Sequence, residues 1–182
     1  PMNSSAASDV YKRQKYNKSS LNLHEWKDVI DQIPPGSHIT LTGGEPLLFN
    51  GFIELLNYIP KNITFNIISN GLLLDEKMSS EIIRHKNFRC ISISIDDVGN
   101  KSRSFTDEQW QLLNNNIKNL HNNLENIERN DVIFDIKSVI HEGNIDQILP
   151  LASYSSSQAK ANTHMFMFLK GSPIQHADVM FE

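Results

Sequence analysis

Apolar residues recur along the chain at two alternating spacings. Spacings of three and four residues predict amphipathic helices that begin near residues 22, 52, 75, 106 and 144. Between them lie short runs rich in isoleucine, valine and phenylalanine, which predict β-strands. The predicted strands cover residues 39–42, 63–69, 91–96, 132–140 and 164–169.

Polar residues mark where these elements begin and end. Four residues are predicted to cap helix N-termini: Asn22, Asp75, Thr106 and Asn144. Glu25 and Gln109 each follow a cap by three residues, which is the pattern of a capping box. The serines at 155–157 predict a loop.

Strands that alternate with helices over short connections predict a parallel sheet. In residues 91–96, the period of two places Ser92, Ser94 and Asp96 on one face and three isoleucines on the other. Thr40, Thr42, Asp135 and Lys137 repeat the polar face on neighbouring strands. Doubly wound sheets are apolar on both faces, so a single polar face favours a partial barrel whose concave side binds a ligand.

Composition narrows the class of protein. The formal charge of −4 over 182 residues provides no basic footprint for nucleic acid or for an anionic membrane. The sequence also contains no apolar run of the ~20 residues that a transmembrane helix needs. Its single cysteine, Cys90, excludes an internal disulfide framework, and we expect a cytoplasmic location. Burial as a small apolar side chain is the favoured interpretation of Cys90.

The first predicted strand runs directly into Gly43-Gly44-Glu45-Pro46. Adjacent glycines allow a backbone to approach a ligand closely, and Pro46 forbids further sheet pairing. This segment resembles the GGEP motif of radical S-adenosylmethionine (SAM) enzymes, and the order of strand-end motifs along the chain strengthens the resemblance. It covers about residues 19 to 175.

The resemblance implies a partial parallel (β/α)6 barrel, truncated here at both ends, and a role for each strand end. Gly43, Gly44 and Glu45 would hold the SAM ammonium group, with Pro46 closing the motif. Ser69 and Asn70 would lie near the ribose and methionine moieties, and Ser94 and Asp96 would bind ribose hydroxyls or the carboxylate region. The backbone around Ile140 and Leu169 would flank the adenine.

In this family a 4Fe-4S cluster cleaves SAM reductively and generates a 5′-deoxyadenosyl radical. The resemblance therefore implies SAM, the cluster and a reductant such as flavodoxin or ferredoxin in a full-length parent enzyme. The segments KSVIHEGNIDQI and HMFMFLKGSP look most like the SPASM/twitch branch, which suggests a peptide substrate. The parent would be an oxidoreductase-type radical enzyme.

The chain departs from the family in its cysteines. The CxxxCxxC loop that ligates the cluster is missing, so we expect this chain to be inactive by itself. Residues 1–18 resemble a disordered or non-native leader, and residues 19–182 are predicted to form an incomplete barrel core.

Two other functions fit the same residues. A cluster-less SAM-binding, nucleotide-binding or scaffold domain would use Glu45 and Asp96 for binding without turnover. A barrel hydrolase would use the same two carboxylates as an acid and a base. The spacing of the seven histidines does not support a zinc site.

Overall fold

The computed structural model describes residues 21–169. The predicted leader at 1–18 lies outside the described residues, as do residues 170–182. The described part contains five strands, namely β1 (His38–Leu41), β2 (Thr64–Ser69), β3 (Phe88–Ser94), β4 (Ile133–Ile140) and β5 (Thr163–Phe168). Its α-helices are α1 (Leu23–Asp31), α2 (Phe52–Tyr58), α3 (Glu76–Ile83), α4 (Asp107–Asn126) and α5 (Ile148–Ser157). Short 3₁₀ turns cover Pro46–Leu48, Lys101–Arg103 and Glu142–Gln147.

The five strands form one parallel sheet in the order β1-β2-β3-β4-β5. Each strand pairs with its neighbour in sequence. Because βαβ crossovers are right-handed in nearly all proteins, this order places the connecting helices on one face of the sheet. The other face is left as a concave surface, and the prediction of a partial parallel barrel is confirmed.

The two faces differ in side-chain character. Phe65, Ile67, Ile91 and Ile93 point towards the helices and are fully buried in the apolar core. The alternate positions on the same strands carry polar groups and form the concave face: Thr40, Asn66, Ser92, Ser94, Asp135 and Lys137. The predicted alternation is therefore confirmed.

Side-chain caps explain where several helices begin. The Asn22 side chain accepts hydrogen bonds from the backbone of α1, and Glu25 completes a capping box. Thr106 and Gln109 form the same motif at α4, and Asp75 caps α3. Each cap satisfies amide groups that have no partner inside the helix.

Three predictions about local structure are wrong. Asn144 caps no helix; it lies buried inside a 3₁₀ turn that is capped by His141. Residues 155–157 belong to α5 rather than to a loop. Strand β3 begins at Phe88 and ends at Ser94, so Asp96 lies beyond the strand.

Between residues 21 and 169, no helix has the length and apolar character needed to cross a lipid bilayer.

Candidate functional site

The predicted ligand-binding residues gather at the carboxyl edge of the sheet. Parallel strands all end at the same edge, which is where α/β proteins bind their ligands. Here the edge is built from the segments after β1, β2 and β3 and from the ends of β4 and β5.

Glu45 connects the ends of β1 and β2. Its Oε1 accepts a hydrogen bond from Ser69 Oγ at 2.8 Å and one from Leu47 N at 3.1 Å. Its Oε2 accepts from Asn70 N at 2.7 Å. A carboxylate offers about four lone-pair positions, so one remains for a ligand. The structure thus brings Glu45, Ser69 and Asn70 together as a rigid unit.

The glycine pair borders open space. Gly43 has a φ of +154°, which disfavours other residues, and a Cβ built on either glycine meets nothing within 4 Å. No neighbouring protein atom therefore excludes a side chain at Gly44. A ligand that lies against the backbone would exclude one.

Two cavities flank this segment. One of about 300 Å³ lies beside Gly43 and Gly44 and is largely lined by the apolar side chains Trp26, Phe49 and Phe52. The other, of about 770 Å³, reaches from the start of α1 to the exposed Leu48. Glu45 borders both cavities, and Pro46 lines the first. The carboxylate therefore lies where a bound molecule would meet it.

Asp96 connects β3 to β4 in a comparable way. Its Oδ1 accepts a hydrogen bond from Val139 N at 2.7 Å, and its Oδ2 lies 2.8 Å from Arg103 Nε. The Arg103 contact is electrostatic, because Nε has no hydrogen-bond partner with suitable geometry among the described residues. Asp96 is thus held mainly by protein groups, and the Arg103 side chain, which is 23% exposed, lies beside it at the same edge.

The segment after β3 is held in a fixed conformation. Asn100 is fully buried in a left-handed conformation with φ of 51°; its side chain donates to Ser94 O at 3.2 Å and accepts from Asp96 N at 3.1 Å. Asp97 accepts from the backbone amides of Lys101 and Ser102. These bonds position Arg103 beside Asp96 before any ligand binds.

Asn144 holds the segment after β4 in a fixed conformation, as Asn100 does for the segment after β3. Its amide donates to Asp96 O and to Val139 O, both at 2.9 Å, and accepts from His141 N. The sequence analysis assigned Asn144 to a helix cap and did not single out Arg103 or Asn100. A basic residue a few positions beyond a polar strand end is the signal that would have identified Arg103.

Ser94, Ile140 and Leu169 differ in which of their atoms a ligand could reach. Ser94 is half-buried, and its hydroxyl has no hydrogen-bond partner within residues 21–169. The Ile140 side chain is fully buried on the helix side, while Leu169 is 43% exposed. Leu169 N donates to Ile140 O at 3.0 Å, so the two backbones lie side by side. Only their backbones, together with the Leu169 side chain, are available to a ligand.

The residues present do not fit an iron–sulfur cluster. Such clusters are held by several cysteine thiolates, and the sequence has one cysteine. Cys90 lies within β3, away from the carboxyl edge, and burial raises the pKa of its thiol, which disfavours the thiolate. No group of three or more potential metal-ligating side chains occurs within residues 21–169.

Curated proteins provide relatives over most of the chain. The chain is 29% identical over 155 residues to the sporulation killing factor maturation protein SkfB of Bacillus subtilis, which covers 83% of the chain and 35% of the relative. It is 32% identical over 89 residues to an S-adenosylmethionine-dependent nucleotide dehydratase of Selenomonas ruminantium, over 46% of the chain and 32% of the relative. It is 29% identical over 147 residues to a GTP 3′,8-cyclase of Helicobacter pylori, over 73% of the chain and 43% of the relative.

Solved structures share the fold. Streptococcus suis SuiB bound to S-adenosylmethionine superposes with a TM-score of 0.65 at 13% identity, over 87% of the chain and 36% of that protein. These relatives, this fold and the Gly43–Pro46 segment agree with one another. The chain is similar in sequence and fold to radical SAM enzymes.

A second solved structure, anSMEcpe with bound AdoMet and the Kp18Cys peptide, superposes with a TM-score of 0.53 at 17% identity, over 79% of the chain and 41% of that protein. No family model matches the chain. The chain spans between about a third and two-fifths of the length of these relatives and structures.

Proposed function

We propose that this chain is the SAM-binding core of a longer radical SAM enzyme that modifies a peptide. The observation that carries the proposal is the arrangement of Glu45 and Arg103 at one sheet edge, on either side of the β2 and β3 ends. SAM carries an ammonium and a carboxylate at its amino-acid end. An edge with one anionic and one cationic side chain matches that pair of charges.

Each strand end has a task in this proposal. The remaining lone pair of Glu45 accepts from the SAM ammonium, and Arg103 donates to the SAM carboxylate. Ser94 offers its hydroxyl to the ribose, while Ser69 and Asn70 hold Glu45 in place. The backbone of Ile140 and Leu169 flanks the adenine. Asp96 orients Arg103 and so contributes to the same site.

The peptide substrate is supported by similarity. SkfB is a maturation protein, and anSMEcpe was solved with a peptide. Together with the segments at 137–148 and 164–173, these similarities favour the SPASM/twitch branch. In this proposal, parts of the longer enzyme outside the 182-residue chain bind the 4Fe-4S cluster and the reductant. Residues 1–18 act as a leader outside the core at 19–182.

The proposal is tested first by SAM binding to the 182-residue chain, measured by equilibrium dialysis with radiolabelled SAM. Glu45→Gln and Arg103→Gln each remove one charge-assisted contact, which is worth about 1.5–3 kcal/mol, so we expect affinity to fall roughly 10- to 100-fold. Glu125→Gln, at an exposed position on α4, is the matched control and should bind like the wild type. Thermal unfolding of each variant separates lost binding from lost structure.

A wild-type chain that binds no SAM, while showing a cooperative unfolding transition, would contradict the proposal. So would Glu45→Gln and Arg103→Gln variants that bind SAM as tightly as the wild type.

A cluster-less SAM- or nucleotide-binding domain is the second candidate. The single cysteine favours it, and one relative acts on a nucleotide according to its name. Sequencing the source DNA upstream of Tyr16 separates the two. A CxxxCxxC segment there supports the radical enzyme, whereas an uninterrupted open reading frame without cysteines supports the binding domain.

A further inference from the structure

A charged pair lies on the concave face, one step below the proposed SAM site. Asp135 is buried, and its Oδ1 accepts a hydrogen bond from Thr163 Oγ1 at 2.8 Å. Its Oδ2 accepts from Ser92 Oγ at 2.9 Å and lies 3.1 Å from Lys137 Nζ. The carboxylate therefore has partners on three strands, and the ammonium is its only charged contact among the described residues.

Lys137 is less well satisfied than Asp135. An ammonium group has three N–H donors and no acceptor. Its contacts within residues 21–169 are the Asp135 carboxylate and Met165 Sδ, a weak acceptor at 3.7 Å. The Lys137 side chain is only 18% exposed, so little water reaches the remaining donor. An oxygen acceptor from a bound molecule would complete its hydrogen bonds.

The register of the sheet places this donor beside the proposed SAM site. Lys137 pairs with Ser94 on β3 and with Met165 on β5. Its side chain therefore projects from the concave face at the level of Ser94, whose hydroxyl we assign to the SAM ribose. A molecule held by Lys137 would lie next to SAM, where a substrate must lie.

The charges select the kind of acceptor. Lys137 and Asp135 together are neutral, so a second carboxylate would bring an uncompensated negative charge into a largely buried site. A neutral carbonyl oxygen satisfies the free N–H without that cost. Peptide groups supply such oxygens.

We propose that Lys137 binds a backbone carbonyl of the peptide substrate and that Asp135 positions its ammonium for this contact. The inference rests on the proposed function, since it names how that site holds its substrate. A buried ion pair is weak evidence for stability, because apolar or neutral residues often replace one without loss. The retention of a charge on this face is better explained by a ligand.

A second group on the concave face also lacks a partner. Asn66 Oδ1 is buried without a hydrogen bond among the described residues. It lies on β2 beside Cys90, further towards the amino ends of the strands than Lys137. The polar concave face is therefore not satisfied by its own groups alone.

The test compares binding of a minimal peptide group with protein stability. The probe is N-acetylalanine N-methylamide, which carries two neutral carbonyls, and acetate is the matched anionic probe. Binding to the 182-residue chain is measured by saturation-transfer NMR, with and without SAM. The variants are Lys137→Met, the double variant Asp135→Asn/Lys137→Met, and Lys118→Met as a control at an exposed lysine on α4.

The double variant removes the charge pair while leaving no charged group unpaired, so we expect its melting temperature and SAM affinity to match the wild type. The saturation-transfer signal of the amide probe should fall at least five-fold in this variant and stay unchanged in Lys118→Met. Acetate should give a signal several-fold weaker than the amide probe in the wild type.

Three outcomes would overturn the inference. They are a double variant that retains the amide signal, a wild type that binds SAM but gives no amide signal, and a wild type that prefers acetate. A wild type that gives the amide signal without binding SAM would contradict the proposed function and leave the Lys137 contact supported.

Discussion

The two faces of the sheet use the same strands for different purposes. On the helix-covered face, Ile67, Ile93 and Ile136 are fully buried against apolar neighbours. On the concave face, Ser92, Asp135 and Lys137 are held by hydrogen bonds and charge. Apolar burial is the larger source of folding free energy, and directional polar groups are what recognise a ligand. The comparison indicates that apolar burial is concentrated on one face and that the proposed ligand contacts lie on the other.

Substitutions in the buried helix-covered face should have the largest effect. Ile93→Ala removes a fully buried side chain and leaves a cavity, so we expect a loss of about 2–5 kcal/mol in the free energy of unfolding. Met167→Ala, at a 39% exposed position on the concave side of β5, should cost less than about 1 kcal/mol. Urea denaturation of both variants checks this. Equal losses would contradict the division between the faces.

A polar substitution on the concave face should have an intermediate effect. Ser92→Ala removes a hydrogen bond to the buried Asp135 carboxylate, and we expect a loss of about 1–3 kcal/mol. Ser153→Ala, at an exposed position of α5, should stay within about 0.5 kcal/mol of the wild type. The same denaturation measurement applies. A neutral Ser92→Ala would show that Asp135 does not depend on this partner.

The helix-covered face also contains a histidine that should make stability depend on pH. Burial lowers the pKa of His164, although the nearby Asp135 carboxylate partly opposes this. Its Nε2 lies 2.8 Å from Ser138 Oγ, whose hydroxyl donates to Ile95 O, so Nε2 donates. Nδ1 is buried without a hydrogen-bond partner among the described residues, so a proton there would have no acceptor and the neutral ring is favoured. The unfolded chain therefore binds a proton more readily than the folded one.

Its contribution to stability is full above the unfolded pKa of about 6.5 and is lost as the pH falls below that value towards the lowered folded pKa. Urea denaturation from pH 7.5 to 5 measures it, with His164→Gln as the comparison. The variant should lose less stability over this range than the wild type. His85, whose pKa burial also lowers, adds a similar dependence that both proteins share. Identical pH profiles would contradict the assignment to His164.

The smallest effect should be seen at Cys90 on the concave face. Because burial raises the pKa of its thiol, little thiolate is present near neutral pH. We expect Ellman's reagent to label the native protein at least about ten-fold more slowly than the urea-unfolded chain at pH 8. Equal rates would show that the concave face is open to solvent at this depth.

Local sequence signals predicted most of the architecture. The caps at Asn22, Asp75 and Thr106 depend on residues no more than three positions away, so the sequence alone was sufficient to predict them. The alternation in β3 likewise predicted which face Ser92 and Ser94 occupy. Glu45, Ser69 and Asn70, all placed at strand ends by the sequence, lie in contact because the carboxyl ends of parallel strands share one edge.

Contacts between distant segments were not predictable in the same way. Asn144 was assigned to a helix cap because its neighbours are helical, yet its amide bonds to the Asp96 carbonyl. Arg103 acquires its place beside Asp96 through the bonds of Asn100 and Asp97, and no periodic pattern in the sequence predicts those bonds. Asn116, which the sequence analysis did not single out, is buried on α4 and donates to Gly71 O, 45 positions away along the chain.

The sequence by itself determined the order of strands and helices, the polar face of the sheet and the Gly43–Pro46 edge, because hydrophobic periodicity and capping act within a few residues. Only the tertiary structure decided that Arg103 meets Asp96 and that Lys137, among the described residues, keeps a donor without a partner on the concave face. Those features depend on the register between strands and on buried polar partners that are dozens of residues apart. These partners come together only in the folded chain, where almost every buried polar group forms a hydrogen bond.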